Sequence, residues 1–200
     1  MSRPAVPCLP RRAVVLGGAA SALAAAGLPG RALADAALAQ LAEPRTHALM
    51  RHALAPGSGD PADFSLDDCA TQRNLSDLGR AQARRAGDML RASGMAIDAV
   101  WSSAWCRCRE TAELMALGPV ETVTALNSFS RARHTRPARL RGTREALAAL
   151  PDARTVLMVS HNVNIEALTG TRPINGEIQV VRVAAGGRLA LLARVEVPLA

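Results

Sequence analysis

Three short apolar runs, each of strand length and each closing on charged or hydroxyl residues, constrain most strongly what this chain can fold into. His47 to Met50 ends in Arg51-His52, Ile97 to Trp101 ends in Ser102-Ser103, and Thr155 to Val159 ends in Ser160-His161. Between them lie stretches with helical spacing. Leu78, Ala81, Ala86, Met89 and Leu90 form an apolar stripe after the N-cap candidate Ser76 and before the terminator Gly94. Cys108, Ala112 and Met115 share one face of a second helix expected from about Ala104 to Leu117. A third short strand over Glu121 to Ala125, an Ala/Leu-rich helix ending near Leu150 and a short helix from Asn164 to Thr169 follow. Ile178 to Val183 and Leu189 to Val195 read as a hairpin around Gly186-Gly187. Strands alternating with helices predict an α/β fold, a mainly parallel sheet with helices on both faces. Ligands of such sheets sit beyond the carboxyl ends of the strands. The three polar strand ends are therefore expected to face one pocket.

The chain has 200 residues, 49% of them apolar, which suits one domain with a proper core. All 24 basic residues are arginine, and the sequence pI is near 11.0. Four of them (Arg3, Arg11, Arg12, Arg31) precede the first acidic residue, Asp35, so beyond that point 20 basic groups face 17 acidic ones. With two Trp, two Phe and no Tyr, the chain also lacks the stacking platforms of single-strand binders, and no nucleic-acid partner is expected.

Residues 1–34 read as an address. Arg11-Arg12 precede an apolar Ala/Gly-rich stretch from Ala13 to Leu28, followed by Pro29-Gly30 and the small-residue pattern Ala32-Leu33-Ala34. This is the order of a secretory signal peptide with cleavage after Ala34, and the paired arginines admit the twin-arginine route. The apolar stretch is short for a membrane span of about 20 residues, so no stable membrane insertion is expected once the signal is removed. Residues 35–200 are the expected functional domain, in the periplasm or secreted. Export leaves Cys69, Cys106 and Cys108, which permit one disulfide from Cys69 to either of the others, or three free thiols. Cys106-x-Cys108 is not a metal-ligand spacing, and zinc is not expected.

A pocket with these strand ends suits phosphoryl chemistry. Arginines clamp phosphoryl oxygens through paired N–H groups and neutralise the charge that builds during transfer. Arg51 fits that role, as does Arg107, placed in the first turn of a helix where free amides favour an anion. A neutral imidazole, kept so by neighbouring guanidinium charge, attacks phosphorus and forms a phosphohistidine that water hydrolyses. The second imidazole, held cationic by the phosphate it contacts, donates to the phosphoryl oxygens. This scheme needs no metal and no cofactor.

The same residues carry a family resemblance. Arg51-His52-Ala53 resembles the R-H-G signature of the histidine phosphatases, the phosphoglycerate mutase-like superfamily. Leu75-Ser76-Asp77-Leu78-Gly79-Arg80-Ala81-Gln82-Ala83 resembles that family's L-T-x-x-G-x-x-Q-A segment, with Arg73 before it as in small phosphohistidine phosphatases. Ser102-Ser103 through Arg107 to Thr111-Ala112 is similar to the S-S-x-x-x-R-x-x-x-T-A element, and Ser160-His161 to the second-histidine motif. The resemblance implies a phosphoglycerate mutase-like three-layer sandwich, a small phosphorylated substrate, His52 as nucleophile, His161, Arg51 and Arg107 as phosphate partners, and Arg73 as a substrate contact. The loop after His52 and the Cys-containing segments also resemble exported members acting on phosphorylated envelope sugars such as lipopolysaccharide-core heptose.

Departures leave alternatives open. Ala53 stands where the family has Gly. The family's usual positions for a general acid read Leu126-Asn127-Ser128-Phe129 and Asn162, leaving Asp63, Asp67, Asp68, Glu166 and Glu177 as candidates. A non-catalytic phosphate-binding relative, and a phosphohistidine phosphatase whose substrate has a good leaving group, are the competing readings. His47, within a strand, reads as structural. His134, among Arg131, Arg133 and Arg136, reads as a solvated loop residue, although that cluster would greet an anion if it lay at a pocket mouth.

Overall fold

In the computed structural model, which describes residues 29–199, one six-stranded sheet organises the chain. Helix α1 (Pro29–Ala39) leads into β1 (Thr46–Arg51), then α2 (Asp77–Ala92), β2 (Ala99–Ser102), α3 (Cys106–Leu114) and β3 (Val120–Thr122). Helix α4 (Arg136–Ala148), β4 (Val156–Ser160), α5 (Asn162–Thr169) and the pair β5 (Ile178–Val183) and β6 (Leu189–Val195) complete it. The strand order is β3-β2-β4-β1-β5-β6, with β1, β2, β3 and β4 parallel to one another, β5 antiparallel to β1 and β6 antiparallel to β5. This is the expected mainly parallel α/β sheet.

Period-two alternation along the strands sends side chains into two separate cores. Ala48, Met50, Val100, Leu157 and Val159 pack with Leu38, Leu90, Ala112 and Met115 beneath α1, α2 and α3. Leu49, Trp101, Val156 and Met158 pack with Leu147, Ile165 and Leu168 beneath α4 and α5. The result is a three-layer sandwich.

Local chemistry sets the helix ends near the site. Ser76 caps α2 by accepting from the Gly79 amide, and Gly94, at a φ of 71°, turns the chain after it. Two glycines let α2 come close to its neighbours. A Cβ on Gly79 would meet the Leu54 carbonyl oxygen at 2.0 Å, and one on Gly87 the Met115 carbonyl oxygen at 2.1 Å.

The sequence-based signal segment lies outside the described residues as far as residue 28; residues 29–34 form the first turns of α1. Ala34 packs against the core, but the helix's fully buried residue, Leu38, lies beyond the expected cleavage point, as does Leu41 after it. No helix among the described residues is long and apolar enough to cross a membrane.

Gly87→Ala is expected to destabilise the fold by about 1–3 kcal/mol, because backbone rather than a side-chain tip must yield. A urea unfolding curve measures it.

Candidate active site

Strand register brings the site together. Arg51 of β1 lies beside Ser160 of β4, and Ser102 of β2 beside Val159, so three strands end at one level. His52 follows β1 and its amide donates to the Ser160 carbonyl at 3.0 Å, while His161 follows β4 and begins α5. The two imidazole rings are 5.7 Å apart, edge to face. Both are buried, at 1% and 3% exposure.

Hydrogen bonds fix which nitrogen of His52 is available. Its Nδ1 lies 2.8 Å from the Ala53 carbonyl oxygen, which can only accept, so Nδ1 carries the proton and Nε2 the lone pair. Burial, followed by the Arg107 charge, holds the ring well below the usual 6.5, so it is neutral at physiological pH. Ala53 takes the family glycine's place without strain: its backbone is not in the left-handed region, and its amide donates to Thr111 Oγ1.

His161 is held by a different network. Its Nε2 meets Ser103 Oγ at 2.8 Å and Cys108 Sγ at 3.5 Å, and its ring packs edge-on against Trp105. Asn127 Oδ1 accepts from both Ser103 Oγ and the Ala104 amide, and Asn164 in turn donates to the Asn127 carbonyl. Asn127, in the segment that lacks the family's acid, thus positions the serine that holds His161. Burial, then Arg107 and His52, lower the His161 pKa well below 6.5.

Three guanidinium groups surround the imidazoles. Arg51 donates to the Pro173 carbonyl, and burial, then the charges of Arg73, Arg172 and Arg107, push its pKa down to about 10. Arg73 is also lowered, by burial and then Arg107, and it donates to the carbonyls of Gly59 and Ala55. The Nε atoms of Arg51 and Arg107 are buried without a partner. Unpaired buried donors are uncommon in folded proteins.

One carboxylate answers this charge, and it is none of the five candidates named from the sequence. Asp60 takes the Arg107 fork at 2.7 and 3.2 Å, and accepts from Trp105 Nε1 and from the Arg73 amide. Burial opposes its charge, but Arg107, the Arg73 amide and Trp105 outweigh that and hold the carboxyl below its usual range. Of the earlier candidates, Asp63 and Asp67 are exposed, and Asp68 caps the short turn Cys69–Thr71. Glu166 pairs with Arg172, and Glu177, wholly buried, takes both Arg194 nitrogens. A loop aspartate among Pro and Gly carries no periodic signal, which is why Asp60 was not distinguished from its neighbours.

The remaining sequence expectations resolve as follows. Cys69 and Cys106 form a disulfide that ties the loop after β1 to the first residue of α3, leaving Cys108 free and buried. Burial pushes the Cys108 thiol up to about 12. His47 accepts from the Val156 amide and is lowered to about 4 by burial and then Arg45, as suits a structural histidine. Arg131 does not stand free at a pocket mouth: it donates to the carbonyls of Asp60, Pro61 and Ala62 and lies over the Phe64 ring.

Comparison with known proteins agrees with this geometry. Residues 48–133, which include Arg51, His52, Arg73 and Arg107, match the model of the histidine phosphatase superfamily (branch 1). Among solved structures, the chain is similar to the protein histidine phosphatase SixA complexed with tungstate, at 19% identity and TM-score 0.53, covering 76% of this chain and 96% of that one. It is similar to a mycobacterial glucosyl-3-phosphoglycerate phosphatase, at 18% identity and TM-score 0.53, with 74% and 97% covered. A phosphoserine phosphatase from Entamoeba histolytica in complex with 3-phosphoglyceric acid matches at 14% identity and TM-score 0.54, with 77% and 98% covered. No curated protein sequence matches. Residues 48–133 are thus similar to the histidine phosphatase superfamily, and the sheet has the phosphoglycerate mutase-like fold of these solved structures.

Replacing Cys69 and Cys106 together by Ser is expected to cost about 2–4 kcal/mol of stability under non-reducing conditions. Unfolding midpoints that coincide with wild type would show that the bond does not form.

Proposed function

We propose that this chain is a metal-independent phosphatase that hydrolyses a phosphomonoester through a phosphohistidine on His52. The observation that carries the reading is the lone pair on Nε2 of a neutral, buried imidazole with Arg51, Arg73, Arg107 and His161 gathered around it. Nε2 attacks phosphorus, the bond from phosphorus to the leaving oxygen breaks, and that oxygen takes its proton from solvent water. Water then attacks the phosphohistidine, releasing phosphate and restoring the imidazole. The guanidinium groups neutralise the charge on the phosphoryl oxygens in both steps. His161, neutral beside Arg107, becomes a cationic donor when the phosphoryl group lies against it. Capture of tungstate, a tetrahedral oxyanion, by the similar SixA fold accords with this use of the pocket.

The disulfide supports a location outside the cytoplasm, as does the signal-like pattern of residues 1–34. In the periplasm, phosphorylated envelope sugars are among the phosphomonoesters such an enzyme would meet. One observation favours a second reading. Among the described residues, the only carboxylate contacting the site's arginines is ionised on Arg107, and the other candidates are engaged elsewhere or exposed. A substrate whose leaving group needs no proton donor, such as a phosphohistidine, suits that arrangement.

Acid-quenched labelling with a radiolabelled phosphate ester tests the proposal. Wild type is expected to accumulate an acid-labile phosphoenzyme, and His52→Ala none. Because burial and Arg107 depress the nucleophile's pKa, the neutral form persists as pH falls through 6.5, so labelling is expected to continue at pH 5.5. Undiminished label in His52→Ala, or tight phosphate binding without label in wild type, contradicts it.

A further inference from the structure

The two imidazoles are closed off from solvent, and the segment that closes the Arg107 side is the loop from Ala55 to Phe64. Its carboxylate, Asp60, occupies the Arg107 fork in the two-pronged geometry a phosphate would use, with the pair almost fully buried (4% and 8% side-chain exposure). The rest of the loop is fastened from outside. Arg131 donates to three successive carbonyls, those of Asp60, Pro61 and Ala62, and its guanidinium lies 5.2 Å from the Phe64 ring centre. Phe64 stacks on Trp105, whose opposite contact is His161. Arg73 holds the loop from within, through the carbonyls of Ala55 and Gly59.

The loop is also bounded as a movable segment should be. On one side the Leu54 amide is fixed to Gln82, which itself reaches the Asn175 and Val197 carbonyls. On the other, Gln72 binds the Ser65 carbonyl and the Cys106 amide, and the disulfide locks Cys69 to α3. Between these fixed ends Gly57 and Gly59 adopt φ of 84° and 74°, backbone that glycine leaves at little cost.

We propose that Asp60 is an internal stand-in for phosphate, and that residues 55–64 are a lid which must release Arg107 before a phosphorylated substrate can reach His52. The proposal rests on the reading of Arg107 as a phosphate clamp. A carboxylate and a phosphate compete for one fork, so the incoming dianion itself drives the exchange. A buried ion pair contributes little net stability, because desolvation offsets most of its attraction, and this keeps the exchange available. Anions too small or too weakly charged to displace Asp60 are thereby excluded, which makes Asp60 a specificity-determining residue. Arg131 is the outer latch.

Calorimetric titration with orthophosphate at fixed ionic strength tests this, using wild type, Asp60→Asn, Arg131→Ala and Arg107→Ala. A lid closed in about nine molecules of ten lowers apparent affinity about tenfold. Asp60→Asn and Arg131→Ala are each expected to regain that factor, and Arg107→Ala to lose binding. Arg131→Ala is the decisive arm. It removes positive charge yet is expected to tighten anion binding, and it leaves the Asp60–Arg107 pair in place should Asp60→Asn fail to fold. Trp105 is expected to become more accessible to acrylamide as phosphate binds. Weaker binding in Arg131→Ala overturns the lid, even with tighter binding in Asp60→Asn, which would then be a simple charge effect. Binding that survives Arg107→Ala, or is absent from all four proteins, overturns the phosphate-clamp reading beneath it.

Discussion

The site depends on guanidinium charge concentrated where water is scarce. Arg51, Arg73 and Arg107 lower the pKa of His52, after its burial, and Arg51 itself falls to about 10 through burial and its cationic neighbours. Asp60 and the carbonyls of Pro173, Ala55 and Gly59 offset part of this charge. The strain is borne by the sheet: parallel register sets the ends of β1, β2 and β4 side by side, and two packed cores beneath hold them there. The same charge adds to burial in keeping the His52 imidazole neutral.

Every polar group near the imidazoles has a positional task. The Ala53 carbonyl sets the tautomer of His52. Ser103, itself fixed by Asn127, sets the ring of His161. Trp105 links His161 to the lid through Phe64 and binds the carboxylate that stands on Arg107. The disulfide at Cys106, one residue before Arg107, ties the loop after β1 to the helix that carries Arg107. The loop 55–64 and the Arg107 guanidinium therefore share one set of contacts.

Much of this was legible in the amino-acid order. The strand ends at Arg51-His52, Ser102-Ser103 and Ser160-His161 stood out because buried strands are short, apolar and sharply bounded, and α2 because Ser76 and Gly94 mark its ends. What escaped shared a cause, dependence on contacts far apart in the chain. Asp60 meets Arg107 across 47 positions, and nothing local distinguishes it from Asp63 or Asp67. The choice of Cys106 over Cys108 follows from helix geometry, since two residues along a helix turn the side chain about 200° away. Cys108 then points into the core, while Cys106 faces the loop.

The structure of the protein soaked with orthovanadate tests the central claim most directly. Vanadium should sit within bonding distance of His52 Nε2, with the Arg107 fork turned from Asp60 to the vanadate oxygens and Arg51 alongside. Vanadate bound elsewhere, with His52 still sealed and Asp60 still on Arg107 at full occupancy, would contradict it.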